Sequence, residues 1–159
     1  MKYFFTADEH YGHIKILEYC NRPFTDIQEM DGELIRRHNE LVGLEDTVIH
    51  VGDFTLKKTL QEANNYIRKL NGTHIFVRGS HDYWNPTLPH IIEFTIDGIY
   101  VVVCHYAMKT WARSHYGSIQ LYGHSHGKLE PQANQMDIGV DTNNFYPYSF
   151  EDIKKKLKI

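Results

Sequence analysis

The sequence predicts an α/β fold whose first half builds a parallel sheet, and three observations predict it. Short apolar runs alternate with segments of helical period up to Asp82. Each of those runs ends in Gly, Asp or His, at the strand exits where open α/β sheets place their chemistry. The second half changes to strands in close succession, two of them joined by Asp97-Gly98. The opening order of strand, helix, strand, helix, strand implies parallel pairing through right-handed crossovers.

Lys2 to Thr6 reads as the first strand, short and rich in aromatics, and Asp8-Glu9-His10 follows at once. Ile14 to Tyr19 carries Ile14 and Leu17 at a spacing suited to a short helix. Asn21-Arg22-Pro23 stops it, because proline disfavours helical geometry in the residue before it. Thr25 or Asp26 caps the next helix, which runs to about Val42 with Met30, Leu34, Ile35, His38 and Leu41 near the helical period. Thr47 to Val51 is the second strand, with Gly52-Asp53 at its end. Leu60 to Leu70 is a further helix, closed by Asn71-Gly72. The third strand, His74 to Val77, delivers Gly79-Ser80-His81-Asp82. Ile91 to Ile96 and Ile99 to Cys104 form a hairpin about a type I′ turn, and Val101-Val102-Val103 reads as buried on both faces. Ile119 to Tyr122 and Met136 to Val140 are further strands. Ser149 caps a terminal helix whose lysines lie where the helix dipole favours cations.

No linker, repeat or low-complexity tract divides the chain, so residues 1–159 read as a single domain. Apolar residues make up 42% and charged residues 23%, which points to a soluble globular chain. A formal net charge of −3 leaves no broad basic face for a long polyanion, so no stable nucleic-acid partner is expected. Cys20 and Cys104 stand apart without a C-x-x-C, which argues against a zinc ribbon and a disulfide framework. The start reaches Asp8 too soon for a signal peptide, and no stretch approaches a membrane span. A reducing cytoplasm and no membrane partner are the expectation; the oligomeric state is not legible.

The chemistry lies at the strand ends, which offer Asp8, His10, Asp53, His105, His124 and His126. Side chains two apart point the same way in extended backbone. Asp8/His10 and His124/His126 are therefore each expected to reach one centre, or two centres close together. Mixed carboxylate and imidazole suits Mn, Fe, Zn or Ni better than Ca or Mg. Without cysteine thiolates, a structural zinc is disfavoured. The histidines His13, His38, His50, His74, His90 and His115 read as surface or core residues.

A lone D-x-H or H-x-H is weak, but the order D-x-H, G-D, G-x-H-D, C-H, G-H-x-H is specific. It resembles the calcineurin-like metallophosphoesterase family from Asp8 to about Asp141. Asp8-Glu9-His10-Tyr11-Gly12-His13 and Arg22-Pro23-Phe24 look like its small bacterial and phage-type phosphohydrolases. The resemblance implies a four-layer α/β/β/α sandwich with two divalent metal ions at the strand ends, Mn²⁺ favoured. It implies that Asp8, His10 and His126 hold the first ion and that Asp53 bridges both. His105 and His124 would hold the second, with an asparagine that this chain replaces by Ser80. A serine hydroxyl is a shorter and weaker ligand, so a weakened or water-filled second site is expected.

The implied reaction is attack of a hydroxide bridging the metals on a phosphoester, with His81 as general acid and Asp82 orienting it. Phe54-Thr55-Leu56-Lys57 after Gly52-Asp53 departs from the G-D-x-x-D-R-G of the Ser/Thr protein phosphatases. Small phosphodiesters, such as cyclic nucleotides or nucleic-acid ends, lead as substrates. A phosphomonoesterase using the same site and a metal-binding scaffold weakened by Ser80 are the alternatives. His13 and Asn39 as neighbours of the metals, and Arg22 as a phosphate contact, stand open beside plain local packing. Tyr106, Trp111, Tyr116, Phe145, Tyr146 and Tyr148 are candidates for exposed aromatics lining a cleft or a dimer contact.

Overall fold

Strands that are apolar on both faces need cover on both sides. A computed structural model describing residues 1–159 shows how the chain provides it. The elements are β1 (Tyr3–Thr6), α1 (Ile16–Tyr19), α2 (Ile27–Leu41), β2 (Thr47–Val51), α3 (Leu60–Ile67), β3 (Thr73–Val77), β4 (Ile91–Ile96) and β5 (Ile99–Cys104). They continue through β6 (Ile119–Tyr122), β7 (Gln135–Asp137), β8 (Tyr148–Ser149) and α4 (Phe150–Leu157). One sheet has the order β3-β2-β1-β8, the other β4-β5-β6-β7. β1, β2 and β3 pair in parallel as the crossovers require, and β8 runs antiparallel to β1.

The two sheets pack face to face. Phe5, Ile49 and Val77 of the first meet Val101, Val103, Ile119 and Leu121 of the second in one buried cluster. The other face of the first sheet is covered by α1 to α3, where Met30, Leu34 and Ala63 pack around Phe54 and Trp84. α4 closes the side of the sandwich by adding Phe150 and Ile153 to the inter-sheet core. The outer face of the second sheet is covered by the 106–118 segment, which contains a single 3₁₀ turn at Ser114–Tyr116. That segment takes hydrogen bonds from Gln120 at the Tyr106 carbonyl and from Gln135 at the Met108 carbonyl.

Several local expectations shift for physical reasons. The strand expected over Met136–Val140 is split: Gln135–Asp137 pairs with β6, and then Gly139 bridges to Ala7 of the first sheet. That crossing ties the two sheets together beside the strand ends. In α1 the buried residue is Ile16, while Ile14 is exposed, because so short a helix turns a single side chain inward. Asp26 is the cap of α2, its carboxylate accepting from the Glu29 N–H at 2.8 Å, while Thr25 holds the Glu29 carboxylate. Asp97 and Gly98 take positive φ (50° and 80°), as a type I′ turn demands. Of the aromatics expected at the surface, Phe145 and Tyr148 are buried, whereas Tyr106 and Tyr116 are exposed.

Candidate metal centre

β1 and β2 end side by side, so the residues just beyond them share one edge of the sheet. The backbone there is not extended, which corrects the geometry expected from residues two apart. Asp8, His10, Asp53, His124 and His126 all have φ between 48° and 66°. Left-handed backbone costs a residue with a side chain roughly 1–2 kcal/mol, and the cost is met by bonds between loops. The Asp8 and His10 N–H groups donate to the carbonyls of Gly52 and Asp53, each at 3.0 Å. The His124 N–H donates to the Asp8 carboxylate at 2.9 Å. Two glycines allow the close approach. A Cβ on Gly52 would stand 2.7 Å from Gly79 Cα, and one on Gly79 would overlap Asp53.

The turns bring six expected ligands into two groups. Asp8, His10 and His126 offer ligand atoms within 4.8 Å of one another, and so do Asp53, His105 and His124. Asp53 Oδ2 stands 3.6 Å from His10 Nε2 and 3.3 Å from His105 Nε2, so its carboxylate lies between the groups. Those two ring nitrogens are buried and have no hydrogen-bond partner. Buried nitrogens left in that state are costly, and a cation beside the carboxylates would satisfy both. The donor set therefore fits divalent metal.

The opposite ring nitrogens are engaged. His105 Nδ1–H donates to the Val51 carbonyl at 2.8 Å, and His126 Nδ1 lies 2.7 Å from Asp141 Oδ2. His10 Nδ1 lies 3.2 Å from His13 Nδ1. Such contacts leave Nε2 of each ring to face the centre, the usual arrangement of a metal-binding imidazole. Charges are finely opposed here. Burial pushes the Asp8 carboxyl up to about 7 and the His10 ring down to about 2. Burial also opposes charge on Asp53, but the neighbouring His105 and His10 rings override it and hold its carboxyl below the ordinary value. Burial also opposes charge on the His126 ring, but Asp141, Cys20 and the Asp8 carboxylate together override it and lift the ring to about 10.

Ser80 stands beside the bridging position. Its hydroxyl donates to Asp53 Oδ2 at 3.0 Å, so it supports that carboxylate directly. The His81 N–H donates to Asp53 Oδ1 at 2.8 Å, and its ring lies 5.5 Å from that of His10. Asp82 does not play the part expected of it. Its carboxylate is buried and accepts from the N–H groups of Asp53, Phe54 and Gly79 and from Trp84 Nε1, with no bond to the His81 ring. It is the clamp that joins the β2 and β3 loops.

These groups open on a pocket of about 430 Å³ whose remaining wall includes His13, Ile16, Tyr19, Leu56 and Lys128. His13 thus belongs to the site. Asn39 does not: it bonds the backbone of Lys69 and Asn71. Arg22 is buried, does not line that pocket and pairs with Asp141. Sequence reasoning missed Asp141, which sits in no motif. It also missed a chain of imidazoles behind the first sheet. His50 Nδ1 meets Glu9 Oε1 at 2.5 Å, His50 Nε2 meets His74 Nδ1 at 3.0 Å, and His38 packs on both rings.

Comparison with known proteins bears on the fold and the family. A protein from Methanocaldococcus jannaschii, the uncharacterized MJ1445, is 29% identical over 165 residues, covering 99% of this chain and 92% of its own. The gene 66 protein of Mycobacterium phage L5 is 32% identical over 84 residues, covering 52% of this chain and 40% of its own. The crystal structure of AQ665, a protein of unknown function from Aquifex aeolicus, shares the fold at a TM-score of 0.77 and 21% identity, over 98% of each chain. The family model of the calcineurin-like phosphoesterase superfamily domain matches residues 1–139. Because that match takes in all the strand ends that carry Asp8, Asp53, His105 and His124, the chain belongs to the calcineurin-like phosphoesterase superfamily of metal-dependent hydrolases.

Proposed function

We propose that this chain is a phosphodiesterase that works with two divalent cations, Mn²⁺ favoured, on small phosphodiesters such as cyclic nucleotides or nucleic-acid ends. The observation that carries the reading is Asp53 standing between two ligand groups, with an unpartnered imidazole nitrogen on either side of it. Asp8, His10 and His126 would hold one cation, His105 and His124 the other, and Asp53 both. When bound, such a pair supplies an activated water and positive charge to grip phosphate oxygens for an in-line displacement.

The chain's own residues do the rest. Asp82 holds the Gly79 and Asp53 loops at a fixed separation through three backbone N–H groups. Ser80 keeps the Asp53 carboxylate oriented through its hydroxyl. The His81 backbone is pinned to Asp53, while its ring lines the pocket beside His10 and His13. From there it gives a proton to the departing ester oxygen, a step typically worth about 10²–10⁴-fold. Lys128, which takes part in no ion pair, offers the wall a single further cation, and Ile16, Tyr19 and Leu56 offer apolar surface. That balance suits a diester, which carries one negative charge and two organic groups.

The test is Mn²⁺-dependent release of nitrophenolate from bis(nitrophenyl) phosphate compared with nitrophenyl phosphate. Faster metal-dependent turnover of the diester is expected. Faster turnover of the monoester would reverse the substrate assignment, and metal binding without turnover of either would make the chain a scaffold.

A further inference from the structure

The Arg22 side chain has no exposure to solvent, although arginine is among the residues least often buried. Its guanidinium reaches in two directions. Nε and Nη2 donate to Asp141 Oδ1 and Oδ2 at 2.9 and 2.8 Å, a bidentate pair between residues 119 apart in sequence. Nη2 and Nη1 also donate to the carbonyls of Asp8 and Glu9, at 2.6 and 3.0 Å. The left-handed turn at Asp8 and His10 points those carbonyls inward, where no backbone N–H reaches them. Asp141 in turn meets His126 Nδ1 at 2.7 Å. One cation therefore joins the loop of Asp8 and His10 to the loop of His126, which together supply the whole first ligand group.

A buried ion pair is a poor source of stability, since the cost of removing two charges from water can exceed their attraction. What this one does provide is direction. The planar fork of a guanidinium can meet a carboxylate and two carbonyls at once, which the point charge of a lysine cannot. An Asp141 oxygen at His126 Nδ1 keeps a proton there and leaves Nε2 as the free nitrogen.

We infer that Arg22 and Asp141 form a positioning pair for the first metal site, setting the nitrogen that His126 presents and the placement of the Asp8 turn. The inference rests on Asp8, His10 and His126 being metal ligands. It makes Arg22 a support for the metal site and takes it out of substrate recognition.

The experiment titrates Asp141→Asn, Arg22→Lys and His10→Ala with Mn²⁺ by calorimetry, beside the unaltered chain. Long-range proton–nitrogen NMR on the Zn²⁺-loaded proteins reads the tautomer of His126. Asp141→Asn and Arg22→Lys are expected to weaken one class of sites by about 10–100-fold, the usual loss on removing a partner of a metal-binding histidine. The other class should hold, and His126 should pass from a single form, bound through Nε2 with its proton on Nδ1, to a mixture in which some rings bind through Nδ1 or leave the metal. Unchanged affinity and tautomer in both variants would overturn the inference. So would equal weakening of both classes together with a lower unfolding midpoint of the metal-free protein, which is the mark of a structural role. If His10→Ala also binds like the unaltered chain, the ligand assignment itself fails and the pair falls with it. If His10→Ala loses binding while Asp141→Asn keeps it, the positioning pair alone is wrong.

Discussion

Replacing Asp82 by asparagine separates a clamp from a catalytic partner of His81. Asp82 Oδ2 accepts from the N–H groups of Asp53 and Gly79 at 2.7 and 2.8 Å, and Oδ1 accepts from Phe54 N and Trp84 Nε1 at 3.0 and 2.9 Å. All four partners are donors. An asparagine of the same shape keeps one acceptor oxygen and turns an NH₂ toward the other pair, whichever way it flips. Two buried donors are then left unsatisfied at about 1–3 kcal/mol each, so the loss is about 2–6 kcal/mol. Set against a total stability of about 5–15 kcal/mol, this is a large fraction. The assay is urea unfolding of the metal-free protein. At a slope of about 2 kcal/mol per molar, a central loss of about 4 kcal/mol lowers the midpoint by about 2 M. The folded variant should keep the unaltered ratio of rates on nitrophenyl and alkyl esters, because no bond joins Asp82 to the His81 ring. A midpoint shift under about 0.5 M, with a selective loss on the alkyl ester, would refute this reasoning and return Asp82 to the role of orienting His81.

Three further outcomes follow from the site and its surroundings. His81→Ala should slow esters of poor leaving groups by about 10²–10⁴-fold and nitrophenyl esters far less; equal losses on both would take His81 out of the acid role. Ser80→Asn brings an amide oxygen to the Asp53, His105 and His124 group and should tighten the weaker class of metal sites by about tenfold, or about 1.4 kcal/mol. Unchanged stoichiometry and affinity in a metal titration would show that the serine leaves the second site complete. Burial pushes the His38 ring down from 6.5 to about 3, so its neutral form contributes stability that is full above pH 6.5 and is lost as pH falls toward 3. His38→Gln keeps a donor for the Asn71 carbonyl, which His38 Nε2 meets at 2.9 Å, and removes that dependence. Relative to the unaltered chain it should gain about 2 kcal/mol between about pH 8 and about pH 5; a pH-independent difference in urea unfolding would count against it.

The residues that gather at the centre were legible because each sits within a few positions of a strand end, and strand ends follow from local apolar runs. The way they gather was not. The alternation of side chains holds only while the chain stays extended, and at Asp8, His10, His124 and His126 it turns left-handed. Nothing in D-x-H or H-x-H records that turn, because the bonds that sustain it come from Gly52, Asp53 and Asp8 in other parts of the sequence. The same limit explains Asp82. A carboxylate next to a histidine reads as its catalytic partner, and only the approach of the β2 loop reveals that its oxygens are already taken.

The histidine count makes the point most sharply. His38, His50 and His74 lie on three different elements and read separately as core or surface residues. His74 is opposite Val48 in the β2–β3 register, which brings its ring beside that of His50, two residues further along β2. A one-residue slip would send the His74 side chain to the opposite face and break the contact. Register is decided by the whole inter-sheet core, from Ile49 and Val77 to Val103, and no short motif encodes it. Sites assembled from neighbours in sequence can therefore be read before the fold is known, whereas Arg22–Asp141 and Glu9–His50–His74 become visible only through it.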